Sequence, residues 1–228
     1  MKIALCFSGQ PRAFKTGYEF HKRNLLDHYD VDIYFHSWNT GDNQEYLELY
    51  KPVAYRFDDQ VTANLDRYTR TPQPLKHPKI NTYSMYYTMN ECRKLLNGNY
   101  DWVIRSRTDY ALNVKFDFAN LDNTKLHLPD DYIPASRDTG NDQFAFSSME
   151  NMIKYMSTFE NIDQYYDAGT IFNGEDLMSA NLRHHGLIND RLEYVNMNNP
   201  FPPNQWGGSP NSLIRDDFLR WNPGVTVW

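Results

Sequence analysis

Tyr100-Asp101-Trp102-Val103-Ile104-Arg105-Ser106-Arg107-Thr108-Asp109-Tyr110 is the stretch on which the chain turns. Trp102, Val103 and Ile104 read as a short buried strand, and the strand runs directly into two arginines and a carboxylate. Open α/β sheets collect ligands outside the carboxyl ends of their strands. The stretch therefore predicts both a fold class and a place for a site, with Asp109 at its pivot. If the strand continues, alternation puts Arg105, Arg107 and Asp109 on one side. Two guanidiniums beside a carboxylate make either an internal salt-bridge cluster or an anion site with a metal ligand. Mg²⁺ and Mn²⁺ take hard oxygen ligands, commonly one or two carboxylates plus substrate phosphates. Asp109 suits that role, whereas Asp101 precedes the strand and falls at the far end of the sheet.

Working outward, Met1 to Phe7 reads as a buried first strand that ends at the turn Ser8-Gly9-Gln10-Pro11-Arg12. A helix follows over Phe14 to His28, then a second strand over Val31 to His36. Strand, turn, helix and strand in this order form a βαβ unit with parallel strands. A short helix ends near Tyr50, and Pro52 to Phe57 resembles a third strand. Asp58 to Ile80 carries Pro72, Pro74 and Pro78 and no clear period. A loop of that length is a lid, a binding loop or a disordered segment. From Asn81, the spacing of Met85, Tyr86, Met89, Cys92, Leu95 and Leu96 predicts a helix closed by Asn97-Gly98-Asn99. Beyond Tyr110, Leu112 to Phe118 reads as extended. Short strands are expected at Leu126 to Pro129 and at Asp142 to Ser147. Helices are expected from Ser148 to Tyr166 and from Asn173 to Arg183, and a last strand over Leu187 to Val195. The expected organisation is one domain over residues 1–195 and an irregular tail over 196–228, holding Trp206, Trp221 and Trp228, packed on it.

The bulk numbers narrow the class. The 228 residues are 40% hydrophobic and 23% charged, a globular balance. Net charge is −6, which argues against a broad nucleic-acid surface. Two cysteines, Cys6 and Cys92, make no disulfide framework, so reduced thiols and a cytoplasmic setting are expected. The apolar start is too short for a signal peptide, and no run of 18 apolar residues exists to span a membrane. The 17 tyrosines serve cores and also polar grooves, where a ring face stacks on a flat ligand.

Four constellations carry chemistry. In Ser8-Gly9-Gln10-Pro11-Arg12, a glycine turn before a helix lets backbone N–H groups approach a phosphate, and Arg12 can pair with a diphosphate; the plain reading is a strand-to-helix turn with a surface arginine. It matches neither GxGxxG nor GxxxxGK. Arg105 to Asp109 is the second. The third is Asp138 to Gln143 around Gly140, with Asn141 and Asp142, either a solvated loop or groups facing sugar hydroxyls or serving as a base. In the fourth, Asn173-Gly174-Glu175-Asp176, Asn173 caps a helix whose first-turn acids complement its dipole, or Glu175 or Asp176 serves an acceptor. His36, at a strand end, is a better functional candidate than the helix-end pair His184-His185. No HExxH, CxxC or GxSxG is present.

Cys6-Phe7-Ser8-Gly9-Gln10-Pro11-Arg12, Phe35-His36-Ser37-Trp38 and Tyr100 to Asp109 together resemble a family of small GT-A-like glycosyltransferases of large DNA viruses, phages and bacterial surface-polysaccharide loci. The similarity covers about residues 1 to 185. It implies a single-domain α/β/α sandwich with a mostly parallel central sheet, a nucleotide-sugar donor such as a UDP- or GDP-sugar, a glycan or protein-linked glycan acceptor, and Mn²⁺ or Mg²⁺. Where the family pattern has Asp-x-Asp on the metal and the donor diphosphate, this chain has Arg107-Thr108-Asp109. The second Asp is present and the first is Arg, so Arg107 can itself neutralise phosphate with Asp109 the one carboxylate left for a metal, or the enzyme works without one. Ser8, Gly9, Gln10, Arg12, Arg105, Arg107 and Asp109 carry over as donor-site residues, and Asp142 and Glu175 as candidates for the catalytic base. A nucleotidyltransferase, or a non-catalytic carbohydrate- or nucleotide-binding module of the same fold, are the rival readings; a nucleotidyltransferase usually has a phosphate loop richer in Gly and Lys.

Overall fold

The computed structural model describes residues 1–41, 43–72, 78–129, 141–195 and 197. Asp138, Gly140, Pro74 and all of the expected tail except Met197 lie outside the described residues. The chain forms a three-layer α/β sandwich around a seven-stranded, mostly parallel sheet. In chain order the elements are β1 (Lys2–Ser8), α1 (Phe14–His21), β2 (Asp30–Trp38), α2 (Asn43–Tyr50), β3 (Ala54–Asp58), α3 (Lys79–Leu95) and β4 (Trp102–Ser106). They continue as β5 (Leu126–Pro129), β6 (Ala145–Ser147), α4 (Met149–Tyr155), α5 (Ile162–Asp167), α6 (Gly174–His184) and β7 (Leu192–Val195).

Strand order is β3-β2-β1-β4-β6-β5-β7. The first three strands step outward in one direction, and β4 then returns to the other side of β1, all four parallel. The order therefore reverses between β1 and β4, the switch point at which open α/β sheets form a crevice. Register sets the ends level: Ser8 pairs with His36, and Phe7 with Ser106. β6 runs antiparallel to β4. Its entry, residues 141–144, consequently arrives at the same edge where β4 leaves.

Alternation along β1 explains the layers. Ala4 and Cys6 join Tyr34, Tyr86, Met89, Cys92, Val103, Tyr155 and Leu177 under α3, α4 and α6. Ile3, Leu5 and Phe7 face the other way, into Phe14, Phe35, Tyr46, Tyr50, Ile104 and Phe146. Strands buried on both faces read as continuous apolar runs, which is why β1 and β4 stand out in the sequence. Met197 is buried in the second cluster.

Several expected elements are shorter than their apolar patterns. The first helix is regular only to His21, and a wider turn covers Lys22–Leu26. The helix expected from Ser148 to Tyr166 is broken. α4 ends at Tyr155, Thr158–Asn161 is a tight turn, and α5 follows. Ser157 Oγ and Thr158 Oγ1 donate to the carbonyls of Lys154 and Tyr155 at 2.7 and 3.2 Å, competing with the helical ladder. The strand expected from Asp142 begins at Ala145, because Asn141 Oδ1 accepts the N–H groups of Gln143 and Phe144 and turns the chain. The last strand is confined to Leu192–Val195, after Asn189 at φ 59°.

The described part of the Asp58–Ile80 loop is pinned down. Tyr68 stacks on Phe172 with centroids 4.1 Å apart. Thr69 and Arg70 donate their N–H groups to Tyr166 Oη at 2.8 and 3.0 Å. Phe172 N–H donates to Arg70 O at 2.8 Å. The segment straps the α5–α6 connection in place and so fixes where α6 begins.

Candidate active site

The site lies at the carboxyl ends of β1 and β4. β4 stops at Ser106, and residues 107–109 turn, with Tyr110 N–H returning to Arg107 O at 3.2 Å. Arg107 and Asp109 therefore meet through the turn and not through strand alternation. Arg107 Nε and Nη2 donate to Asp109 Oδ1 and Oδ2 at 2.7 and 2.6 Å. Both carboxylate oxygens are used, in the bidentate geometry that makes such pairs strong. Desolvation works against the Arg107 cation, yet the Asp109 pair raises its pKa above the ordinary value.

Arg105 stands behind this pair. It is 1% exposed, and its Nη1 donates to the main-chain oxygen of Asp142. Burial lowers its pKa, opposed by Tyr155 and Asp142. At that depth Arg105 supports the site from within and does not face solvent. Tyr155 Oη donates to Asn141 O at 2.6 Å. Two neighbouring carbonyls, those of residues 141 and 142, are thus tied to the sheet and to α4.

Asp142 reaches the start of α6. A methyl group on Gly174 would lie 2.1 Å from Asp142 Oδ2. Asn173 caps α6, its Oδ1 accepting from Asp176 N–H at 2.7 Å, and Tyr86 Oη donates to Gly174 O. Glu175 follows in the first turn, partly exposed. Desolvation raises the Asp142 pKa, opposed by Arg105 and Arg107. The fold thus brings together Arg105, Arg107, Asp109, Asp142 and the helix start that carries Glu175, residues spread over 71 positions of sequence.

The turn after β1 borders the same edge. Thr108 Oγ1 donates to Arg12 O at 3.1 Å, and Gly17 of α1 packs on the Thr108 carbonyl. Gly9 has φ 104°, a conformation that favours glycine. Its N–H, a candidate phosphate donor in the sequence, is engaged with His36 O at 3.2 Å. Gln10 Oε1 accepts from Arg12 Nε at 2.8 Å and orients that exposed guanidinium.

Alternation places Ser8 and His36 on the face shared with Cys6 and Tyr34, under α3. There Ser8 Oγ, His36 Nδ1, Ser84 Oγ of α3 and Arg105 Nε are buried polar atoms without a hydrogen-bond partner among the described residues. Folded proteins leave few such groups unmet by protein, water or ligand. His36 Nε2 lies 3.0 Å from Asp58 Oδ2, which also receives Tyr87 Oη at 3.2 Å. Burial nonetheless lowers the His36 pKa, opposed by Asp58. Trp38 and Tyr87 stack beside it at 5.6 Å.

Asp101 caps the opposite end of the sheet, accepting from Lys2 N–H at 2.7 Å. His184 and His185 pack edge to face at the far end of α6. Tyr86, Tyr155 and Gly174 gave no separate signal in the sequence, because tyrosines at helical spacing read as core and a glycine beside a cap reads as a helix start.

A divalent cation fits these residues poorly. Among the described residues no group of three or more His, Cys, Asp or Glu side chains could hold a metal ion. Asp109, the expected ligand, has both oxygens on a guanidinium and is 7% exposed. No helix among the described residues is long and apolar enough to cross a membrane.

No protein-family model matches the sequence, and no curated protein matches it. Among solved structures, the chain is similar to the galactosyltransferase LgtC in complex with donor and acceptor sugar analogs. The identity is 16% over 86% of this chain and 73% of that chain, with a TM-score of 0.47. It is also similar to an active-site mutant of LgtC, at 16% identity over the same shares and a TM-score of 0.45. Likeness of this degree assigns no residue and no activity to the present chain.

Proposed function

We propose that this chain is a glycosyltransferase that moves a sugar from a nucleoside-diphosphate donor to a glycan hydroxyl. The observation that carries the reading is the convergence at the β1/β4 switch point. A partly exposed arginine and a carboxylate of raised pKa meet at the same sheet edge, with the start of α6 packed against the carboxylate.

In this reading the diphosphate lies along the edge formed by Arg12 and Arg107. Charge develops on the departing phosphate as the glycosidic bond breaks, and guanidiniums already in position stabilise it without reorganising. Arg105 acts as a positioning residue for Asp142 through the main-chain oxygen. Asp142 is the base that takes the acceptor proton, its basicity raised by desolvation, as a general base near neutral pH requires. Glu175, next to Gly174 in the first turn of α6, holds acceptor hydroxyls.

The test is a thermal-shift panel of nucleotides and nucleotide sugars, followed by detection of nucleoside diphosphate released in the presence of oligosaccharides. Stabilisation by one class of nucleoside diphosphate, and release that depends on Asp142, are expected. A flat response across the panel overturns the reading. Binding without release, unchanged in Asp142→Asn, selects a non-catalytic binding module instead.

A further inference from the structure

Asp109 is the carboxylate a donor-site cation would need, and the fold commits it elsewhere. Its two oxygens accept from Arg107 Nε and Nη2 in one plane of paired hydrogen bonds. A small hard cation needs several oxygens in near-octahedral array, and an ion at Asp109 would stand against a guanidinium. The arginine itself is placed for the task. Its side chain is 28% exposed, against 7% for Asp109, and its Nη1 has no hydrogen-bond partner among the described residues. Arg105 one step back on β4 is too deeply buried to reach a ligand.

We propose that Arg107 neutralises the donor diphosphate in place of a divalent cation, with Asp109 as the positioning residue that fixes the guanidinium plane. The inference rests on the glycosyltransferase reading above. A guanidinium held by a carboxylate keeps its remaining N–H groups for phosphate, and being already ordered it loses little freedom on binding. Arg12 supplies a second cation along the same edge, since Thr108 ties the 8–12 turn to the 107–109 turn through the Arg12 carbonyl. Gln10 holds Arg12 much as Asp109 holds Arg107, so each cation is oriented by a neighbour two residues away.

The experiment is calorimetric titration of the full chain with UDP and with GDP, once in EDTA and once in Mn²⁺. The expected result is that at least one of them binds with constants in the two buffers that agree within about threefold. Binding that tightens tenfold or more with Mn²⁺ overturns the inference and leaves the donor reading standing. Absence of binding by either nucleotide in both buffers removes the donor reading, and the inference with it. Arg107→Met should weaken the diphosphate by on the order of 10- to 100-fold, the scale of one lost charge-assisted hydrogen-bonding group. The matching monophosphate should weaken much less, whereas a purely structural defect would weaken both alike. Asp109→Asn should weaken the diphosphate equally with and without Mn²⁺, and Arg107→Lys should recover part of the loss. A loss in Asp109→Asn seen only with Mn²⁺ would make Asp109 a metal ligand after all. The buffer comparison on the native chain decides the matter even where a variant fails to fold.

Discussion

Replacing Gly174 by alanine separates folding from chemistry at one atom. The added methyl would lie 2.1 Å from Asp142 Oδ2, where real contacts essentially never fall below 3.0 Å, so the carboxylate must retreat by about 0.9 Å or more. The next obstacles are looser: Asp142 Cγ at 3.3 Å and Met85 Cε at 3.6 Å. The Asp142 backbone cannot share the movement easily, because Arg105 holds its carbonyl and Tyr155 holds that of Asn141. The side chain must rotate instead. Gly174 has no positive φ, so alanine meets no backbone strain there. Stability should change by no more than about 1 kcal/mol, or about 2–4 °C in Tm for a chain of this size. Transfer should fall about 100-fold, since a misplacement of about 1 Å at a reacting group costs that order; this corresponds to about 2.7 kcal/mol of barrier. The assay pairs a melting curve with the rate of nucleoside diphosphate release at saturating donor. A folded Gly174→Ala protein with native turnover would refute the placement of the base at Asp142.

Gly17→Ala offers the opposite case: its methyl would lie 1.9 Å from the Thr108 carbonyl oxygen, a backbone atom that cannot swing aside, so stability should drop by about 2 kcal/mol and Tm by about 4–8 °C despite the gain in helix propensity. The pH dependence of transfer should show an ascending limb above the ordinary aspartate value, since desolvation raises Asp142; Arg107→Met removes an opposing cation and should move the limb higher, and a limb that stays or falls would contradict Asp142 as the base. His21 predicts acid lability. Burial, opposed by the Tyr110 backbone and Asp109, takes its pKa down to about 3, so between about pH 6.5 and 3 the unfolded chain binds the extra proton and stability falls as pH falls. At pH 5 this amounts to about 2 kcal/mol, and His21→Gln should flatten the slope of Tm against pH in that window.

What could be read in advance follows from where the signal is local. β1, β2 and β4 are buried on both faces and announce themselves as apolar runs, and α3 repeats its apolar face over seventeen residues. The breaks were hidden because side chains make them: Ser157 and Thr158 captured carbonyls in a segment whose period reads as one helix, and Asn141 captured two N–H groups in what reads as a strand. At the site, the residue types of Arg105, Arg107, Asp109, Asp142 and Glu175 marked them as candidates, but their division of labour depended on depth and on a turn. Arg105 and Arg107 differ by two positions, and one is sealed while the other is partly open. Nothing in the string of letters says that Asp109 would turn back to grip Arg107, or that a glycine thirty-two residues after Asp142 would make room for its carboxylate.

The order in which strands join the sheet bears on synthesis. β1 is made first, yet its second neighbour β4 lies about a hundred residues later, and the strap at residues 65–72 finds its partners Tyr166 and Phe172 about as far on. A ribosome adding about 5–20 residues per second leaves the first three strands waiting several seconds with one flank of β1 open. Asp142, the proposed base, acquires its boundary only when Gly174 has emerged. A nascent chain cut short before α6 would lack the helix start that bounds Asp142, so turnover that depends on Asp142 should appear only after residue 174 has emerged.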